Sequence, residues 1–292
     1  MDINIVFFGT ETFSLSALES LVEAGYTVAA VVTKPDSAQG RGMQVKPTSV
    51  KTYALAHGLP VLQPQSLKEV EPDLSRIPDR IGVLSSYGKI IPESTLKLFE
   101  RGIINIHPSL LPISRGPAPI ETAIFSGAHE TGVSLMRLVA KMDAGPVYAQ
   151  KVIELSRDMT ATSLYKICAR TGSELLLKHL PAIAKNELTP TAQDESLATY
   201  TKLLNKHDGQ VDPERQTATE IDRHIRAYEL YPRTRLFIHG HEIIITKAHV
   251  AHPIATDLSL RCAHDTWLIV DSLIAPSGRT MSGADFQRGY TA

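Results

Sequence analysis

The sequence predicts a two-domain α/β protein: a mainly parallel sheet with helices on both faces, then a linker and a small barrel. Three observations carry that expectation. Short β-rich runs alternate with helical stretches through the first half, as parallel strands joined by crossover helices require. A polar tract, Leu188 to Tyr200, then holds Pro190 and many Ser, Thr, Asp and Gln without helical or alternating period, which marks a linker. Beyond it lie one helix and several short alternating segments, the pattern of a small barrel. The expected boundaries are 1–187, 188–204 and 205–292.

Ile3 to Phe8 is the first expected strand, and Gly9-Thr10 turns it into a helix with Phe13, Ala17, Leu18, Leu21 and Val22 on one stripe. Gly25 suits the end of that helix. Thr27 to Thr33 is the next strand, and a basic loop from Lys34 to Lys46 leads to a helix from Pro47 to Gly58. Val61-Leu62, Ile81 to Ser85 and Ile103 to His107 read as buried strands, with helical stretches at Pro64 to Val70 and Glu93 to Phe99 between them. A helix at Pro119 to Phe125, strands at Val133 to Leu138 and Val147 to Leu155, and a long helix Thr160 to Leu180 complete the first domain. The second has a helix from Ala218 to Leu230, then strands at Thr234 to Ile238, Glu242 to Val250, Leu258 to Arg261 and Thr266 to Ser272.

Composition narrows the function classes. Over 292 residues, 43% hydrophobic and 21% charged is ordinary globular usage, which excludes disordered and fibrous classes. The net charge of -1 means that a nucleic-acid partner must be met by a local basic patch. Cys168 and Cys262 belong to no C-x-x-C pair, and the start of the chain lacks the basic region of a signal peptide. A reduced, cytoplasmic protein without membrane contact is expected.

Several common motifs are missing. Gly9-Thr10-Glu11-Thr12-Phe13 has one glycine where a dinucleotide fingerprint has three, and no P-loop occurs. His239-x-His241 and Cys262-x-His264 contain zinc-binding residue types, each pair able to share one face of a strand, but without tight ligand spacing no metal is expected. The informative stretch is Ile103 to Pro108. Strand alternation puts Asn105 and His107 on one face, and Pro108 ends the pairing. A polar pair thus stands at a strand's carboxyl end, where open α/β sheets place their ligand crevice. An amide that steadies an oxyanion beside an imidazole that moves a proton suits acyl transfer. Asp143, in the turn Met142 to Pro146, is free to approach His107 and fix its tautomer.

Asn105-Ile106-His107-Pro108-Ser109-Leu110-Leu111-Pro112, with Arg115-Gly116 and Pro119-Ile120, resembles the signature of the 10-formyltetrahydrofolate-dependent formyltransferases, and Met142-Asp143-Ala144-Gly145 resembles its aspartate loop. Val6 to Thr10, Lys34-Pro35-Asp36, Gly40-Arg41-Gly42, Pro60 to Pro64, Tyr87 to Pro92, Glu195 to Tyr200 and Ile221 to Ala227 extend the likeness along the chain, most closely to members acting on tRNA. The resemblance implies a Rossmann-like formyltransferase core with a C-terminal OB-fold-like β-barrel domain. It also implies formyl transfer from 10-formyltetrahydrofolate to the α-amino group of methionine on initiator tRNA. Asn105, His107 and Asp143 are the implied catalytic residues, and no metal is required. Ser86, Tyr87, Gly88, Lys89, Ser109, Leu110, Leu111 and Pro112 are implied to line the folate site, with Lys34, Arg41 and Lys46 toward the tRNA. Relatives with the same Asn, His and Asp use an amino sugar nucleotide, a ribosyl glycinamide or water as acceptor, so a sugar formyltransferase or a 10-formyltetrahydrofolate hydrolase is the alternative; a non-catalytic folate or tRNA binder is the other. Two features depart from the family: Glu11-Thr12 replaces its usual Pro-Glu, and the stretch from Lys206 onward is near neutral, with ten basic against eleven acidic residues.

Overall fold

The computed structural model describes residues 3–39, 44–253 and 257–290. In chain order the first elements are strand β1 (Asn4–Gly9), helix α1 (Thr12–Glu23), strand β2 (Thr27–Val32), a hairpin of β3 (Ser37–Gln39) and β4 (Gln44–Lys46), helix α2 (Ser49–Ala56) and strand β5 (Val61–Leu62). Then come α3 (Glu71–Ser75), β6 (Arg80–Ser85), α4 (Glu93–Leu96), β7 (Ile103–His107), α5 (Pro119–Ser126), β8 (Glu130–Arg137), β9 (Val147–Glu154) and α6 (Ala161–Ala184). The remainder is α7 (Ala218–Ala227), β10 (Thr234–Ile238), β11 (His241–Val250), β12 (Ser259–Cys262), β13 (Thr266–Ile274), β14 (Thr280–Ser282) and α8 (Gly283–Tyr290).

These elements form two compact units, each drawn from three stretches: 1–116, 131–153 and 165–200 in one, and 117–130, 154–164 and 201–292 in the other. The first unit holds a seven-stranded sheet in the order β5-β2-β1-β6-β7-β8-β9. Strand β1 pairs in parallel with both β2 and β6, and β6 with β7, whereas β8 runs antiparallel to β7. The chain therefore leaves β1 on one side and returns on the other at β6, the arrangement in which open α/β sheets form their ligand crevice at the carboxyl ends of the strands. Ile5 to Phe8 of β1 are fully buried, which a strand covered on both faces requires.

In the second unit the sheet is antiparallel, ordered β10-β11-β13-β12 with β14 paired to β13. Its core gathers Ile221 and Ile225 of α7, Leu236, Ile243, Leu268 and Val270 of the sheet, and Phe286 of α8. The α5 helix packs on α7 within this unit.

Four local expectations change. The loop after Lys34 contains the β3–β4 hairpin, whose short polar strands leave no alternating signal. Two further elements, β14 and α8, were invisible because α8 carries two glycines and a single large apolar anchor, Phe286. His239 sits with Gly240 in the β10–β11 turn at positive φ, while His241 lies edge-on to Tyr290. Cys262 ends β12 and His264 occupies the following turn, so neither zinc-type pair shares a strand face. Among the described residues no group of three or more His, Cys, Asp or Glu could hold a metal ion, and no helix is long and apolar enough to cross a membrane.

His224 ties α7 to its surroundings. Its Nε2–H donates to the Asp208 carbonyl at 2.9 Å and its Nδ1 accepts from the Thr234 hydroxyl at 2.8 Å. That arrangement satisfies a neutral ring. Burial lowers its pKa to about 4 from 6.5, although the Asp208 carbonyl opposes the shift. Below pH 6.5 the unfolded chain takes up a proton that the folded protein refuses until about 4, so the stabilisation is complete above 6.5 and declines as pH falls toward 4. The decline should amount to roughly 3 kcal/mol. Unfolding followed at Trp267, the single tryptophan, in the wild type and His224→Gln measures it: the variant should lack this loss between those pH values, and parallel pH profiles would refute the assignment.

Candidate active site

Asn105 and His107 stand at the carboxyl end of β7, both 5% exposed. Their strand is central, flanked by β6 and β8, and Leu84 pairs with Asn105 so that the end of β6 runs beside them. Asp143 arrives from the turn between β8 and β9, with its backbone at φ 46°. The Asn105 Nδ2 donates to Asp143 Oδ1 at 3.4 Å, the Gly116 amide donates to Asp143 Oδ2 at 2.8 Å, and His107 Nδ1 lies 3.7 Å from that same Oδ2. The structure thus brings the three residues into one cluster.

His107 Nε2 is 3.0 Å from the Ser114 carbonyl oxygen, which can only accept, so Nε2 carries a proton. The neutral ring then turns an unprotonated Nδ1 toward a carboxylate. An imidazolium would donate to both neighbours. The cluster therefore sets a carboxylate toward one ring nitrogen of His107, beside an amide donor that can turn one N–H toward a substrate oxygen.

The other sequence-predicted positions fall into two groups. On the turn after β6, Ser86 Oγ donates to Glu11 Oε2 at 3.2 Å, and Tyr87 has its hydroxyl unpartnered among the described residues, with burial pushing its pKa up to about 12. Gly88 has φ 70°, and a Cβ there would overlap the Lys34 ammonium. Lys34 thus lies at this turn. Lys89 donates to the Pro64 and Gln65 carbonyls at 3.0 and 2.9 Å, so its charge serves the loop before α3. After β7, the Ser109 hydroxyl donates to the Ile113 carbonyl at 2.6 Å, and Ser134 Oγ donates to the Ser109 carbonyl at 2.6 Å while accepting from the Leu111 amide at 3.1 Å. Gln150 donates to the Leu111 carbonyl at 2.8 Å, and Leu110 packs where Gly132 leaves room. The loop through Pro112 is thereby fixed in shape. Lys46 is exposed on β4, and Arg41 lies outside the described residues.

The residues fit a folate in one testable respect: the Ser85 hydroxyl at the carboxyl end of β6 is buried and has no protein partner among the described residues, as a polar heterocycle seated there would need.

Sequence reasoning assigned no chemical role to a second layer behind Asp143. Arg115 is fully buried, and its five N–H groups all donate: Nε and Nη2 to Gln193 Oε1 at 3.1 and 2.8 Å, Nη2 and Nη1 to Glu195 Oε1 and Oε2 at 2.8 and 3.2 Å, and Nη1 to the Tyr200 hydroxyl at 3.0 Å. Lys141 Nζ meets Glu195 Oε2 at 2.7 Å. Arg115 and Glu195 to Tyr200 stood out only as parts of the family likeness, and the physical signal that pairs them is indirect. A cation set among the small and apolar residues around Arg115 needs an acidic partner, and Glu195 stands in a stretch without period.

Hydrogen bonds from Arg115 and then Lys141 hold the Glu195 carboxyl down to about 2 from 4.5. A carboxyl lowered on folding stabilises above its unfolded value, and the benefit is lost as pH falls through the folded one. The stability gap between wild type and Glu195→Gln, read as a shift in urea midpoint, should therefore hold above pH 4.5 and close as pH falls toward 2. A gap independent of pH would contradict this.

Comparison with known proteins shows the family. Residues 3–180 match the family described as formyl transferase, and residues 203–291 match the formyl transferase C-terminal domain. A methionyl-tRNA formyltransferase of Chloroflexus aggregans is 40% identical over 305 aligned residues, covering 99% of this chain and 97% of its own. One from Chloroflexus aurantiacus is 42% identical, covering 87% of this chain and 82% of its own. Among solved structures, an N-formyltransferase from Helicobacter canadensis, in complex with folinic acid and dTDP-3-aminofucose, superposes with a TM-score of 0.72 at 19% identity, covering 92% of this chain and 98% of its own. At that identity the likeness speaks for the fold alone.

Proposed function

The chain belongs to the methionyl-tRNA formyltransferase family, and from that premise we propose that Asn105, His107 and Asp143 carry formyl transfer from 10-formyltetrahydrofolate to the α-amino group of methionine on initiator tRNA. The observation that supports these roles is the position of one carboxylate: Asp143 accepts from Asn105 on one oxygen and faces His107 from the other. When bound, the folate supplies an activated formyl carbon. As the amine attacks it, Asn105 donates a hydrogen bond to the oxygen that gains charge. His107 takes the proton released by the amine and returns it to the departing folate nitrogen, while Asp143 stabilises the ring between those two events. For Nε2 to take that proton, the ring's own proton has to stand on Nδ1, toward Asp143, and the bond from Nε2 to the Ser114 carbonyl has to give way to one with the amine, as is common where a site tightens only on binding.

The turn Ser86 to Lys89 and the loop Ser109 to Pro112 are assigned to the folate. Lys34, whose ammonium lies at Gly88, is assigned to the former turn, and Lys46, exposed on β4, together with Arg41, which lies outside the described residues, to the nucleic acid.

Asp143→Asn should leave folding intact and lower the rate of formylation of charged initiator tRNA by at least ~10²-fold. His107→Ala should be about as severe, and the double variant little worse than the worse single one, because both residues act in one proton-transfer step. Near-normal rates in both variants at saturating folate and tRNA would sink these roles. An intact enzyme that preferred an amino sugar nucleotide would sink the substrate.

A further inference from the structure

We propose that the segment around Gln193 and Thr199 positions both partners of His107, with the Gln193 side chain setting Asp143 and Thr199 setting Ser114. This rests on the catalytic reading of His107 and Asp143 above. Gln193 Nε2 donates to the Asp143 carbonyl at 2.8 Å and to the Gly145 carbonyl at 2.6 Å, while its Oε1 accepts from Arg115 Nε and Nη2. Both amide protons and both oxygen lone pairs are used. The amide also has a single allowed orientation: the guanidinium offers no acceptor and the carbonyls no donor, so a flip would set donor against donor and acceptor against acceptor.

The aspartate turn has little room to answer otherwise. Asp143 sits at φ 46°, a region L residues rarely occupy, and at Gly145 a Cβ would overlap the Arg137 carbonyl oxygen. One side of the turn rests on backbone and the other on Gln193. Two residues before Asp143, the Lys141 ammonium is paired to Glu195, so the same segment grips the turn at three points.

The segment is itself anchored at both ends. Thr191 and Val147 exchange backbone hydrogen bonds, each 2.8 Å. The Arg115 amide donates to the Thr199 carbonyl at 2.9 Å, and the Ser114 amide donates to Thr199 Oγ1 at 2.8 Å. Ser114 is the residue whose carbonyl receives His107 Nε2. Each nitrogen of the imidazole therefore faces a group whose place is set from this one stretch. A displacement of order 1 Å in such a group is enough to cost ~10²-fold in rate.

The test is Gln193→Glu in the full-length chain. A carboxylate still accepts from Arg115, so the buried cation keeps its partners, while the two donors to the aspartate turn are replaced by a charged oxygen that faces two carbonyls and cannot hold them. The expected result is a kcat lower by between ~10 and ~10²-fold, with KM for formyl-folate and for methionyl-tRNA each within about twofold of wild type. Adding Gln193→Glu to Asp143→Asn should lower the rate little further. Without substrate, the ring-nitrogen resonances of His107 should move in Gln193→Glu as they do in Asp143→Asn. Thr199→Val, which deletes one hydroxyl, should lower kcat ~3- to ~10-fold with both KM values kept, and tests the Ser114 half should Gln193→Glu fail to fold.

Normal kcat in Gln193→Glu with unmoved His107 resonances would overturn the proposal, and so would a loss that multiplies fully with that of Asp143→Asn. A rise confined to KM for tRNA would overturn it as well, marking the segment as a nucleic-acid contact. If the wild type formylates some other acceptor, the substrate assignment fails while the same comparison on that acceptor, and the resonances, still decide the role of Gln193.

Discussion

A fully buried guanidinium, that of Arg115, constrains the first unit. Taking Arg115 out of water costs several kcal/mol unless every donor finds an acceptor and the charge a counter-charge. Its five donors require acceptors in a fork-shaped plane, and the 193–200 segment supplies them from Gln193, Glu195 and Tyr200. The segment must therefore lie over Arg115. Once there, its remaining donors fall on the aspartate turn, and the cost of burying one cation becomes the geometry of another residue's carboxylate.

Two buried histidines show how small a change of partner alters what a ring is for. In both His107 and His224 the Nε2–H donates to a backbone carbonyl. At Nδ1 they part: His224 meets a hydroxyl that donates to it, and His107 faces a carboxylate that only accepts. The ring at 224 is complete when neutral and fastens α7 in its unit. The ring at 107 has a carboxylate beside it, the kind of neighbour that steadies a group proposed to carry a proton through a reaction.

The sequence made legible what repeats locally. Strand β7 has the expected bounds, because Ile103 to His107 is a short apolar run closed by a proline, and alternation alone put Asn105 and His107 on one face. The contact between Asp143 and that face was legible only as a possibility of the turn it occupies. The segment around Gln193 read as a tether because its contacts are long-range and polar: the partners of Arg115 lie about eighty residues on, at positions with no period to betray them. For the same reason Lys34 looked like a loop cation, although its ammonium lies against Gly88, whose lack of a side chain makes the space. Hairpin β3–β4 and helix α8 escaped notice through shortness and through glycine content.

A polar network behind the aspartate turn adds less stability than an apolar one of the same volume, and its use lies elsewhere. Each neutral hydrogen bond contributes about 1 kcal/mol net, yet losing one partner leaves the other buried and unsatisfied at a cost of about 1–3 kcal/mol. The links of such a network therefore hold or fail together, and intermediate arrangements are the least favourable of all. Apolar contacts tolerate sliding, whereas an amide fixed between a guanidinium and two carbonyls does not. At Asp143 that difference decides which way a carboxylate points, because its backbone sits where few alternatives exist and the groups that hold it admit one orientation each.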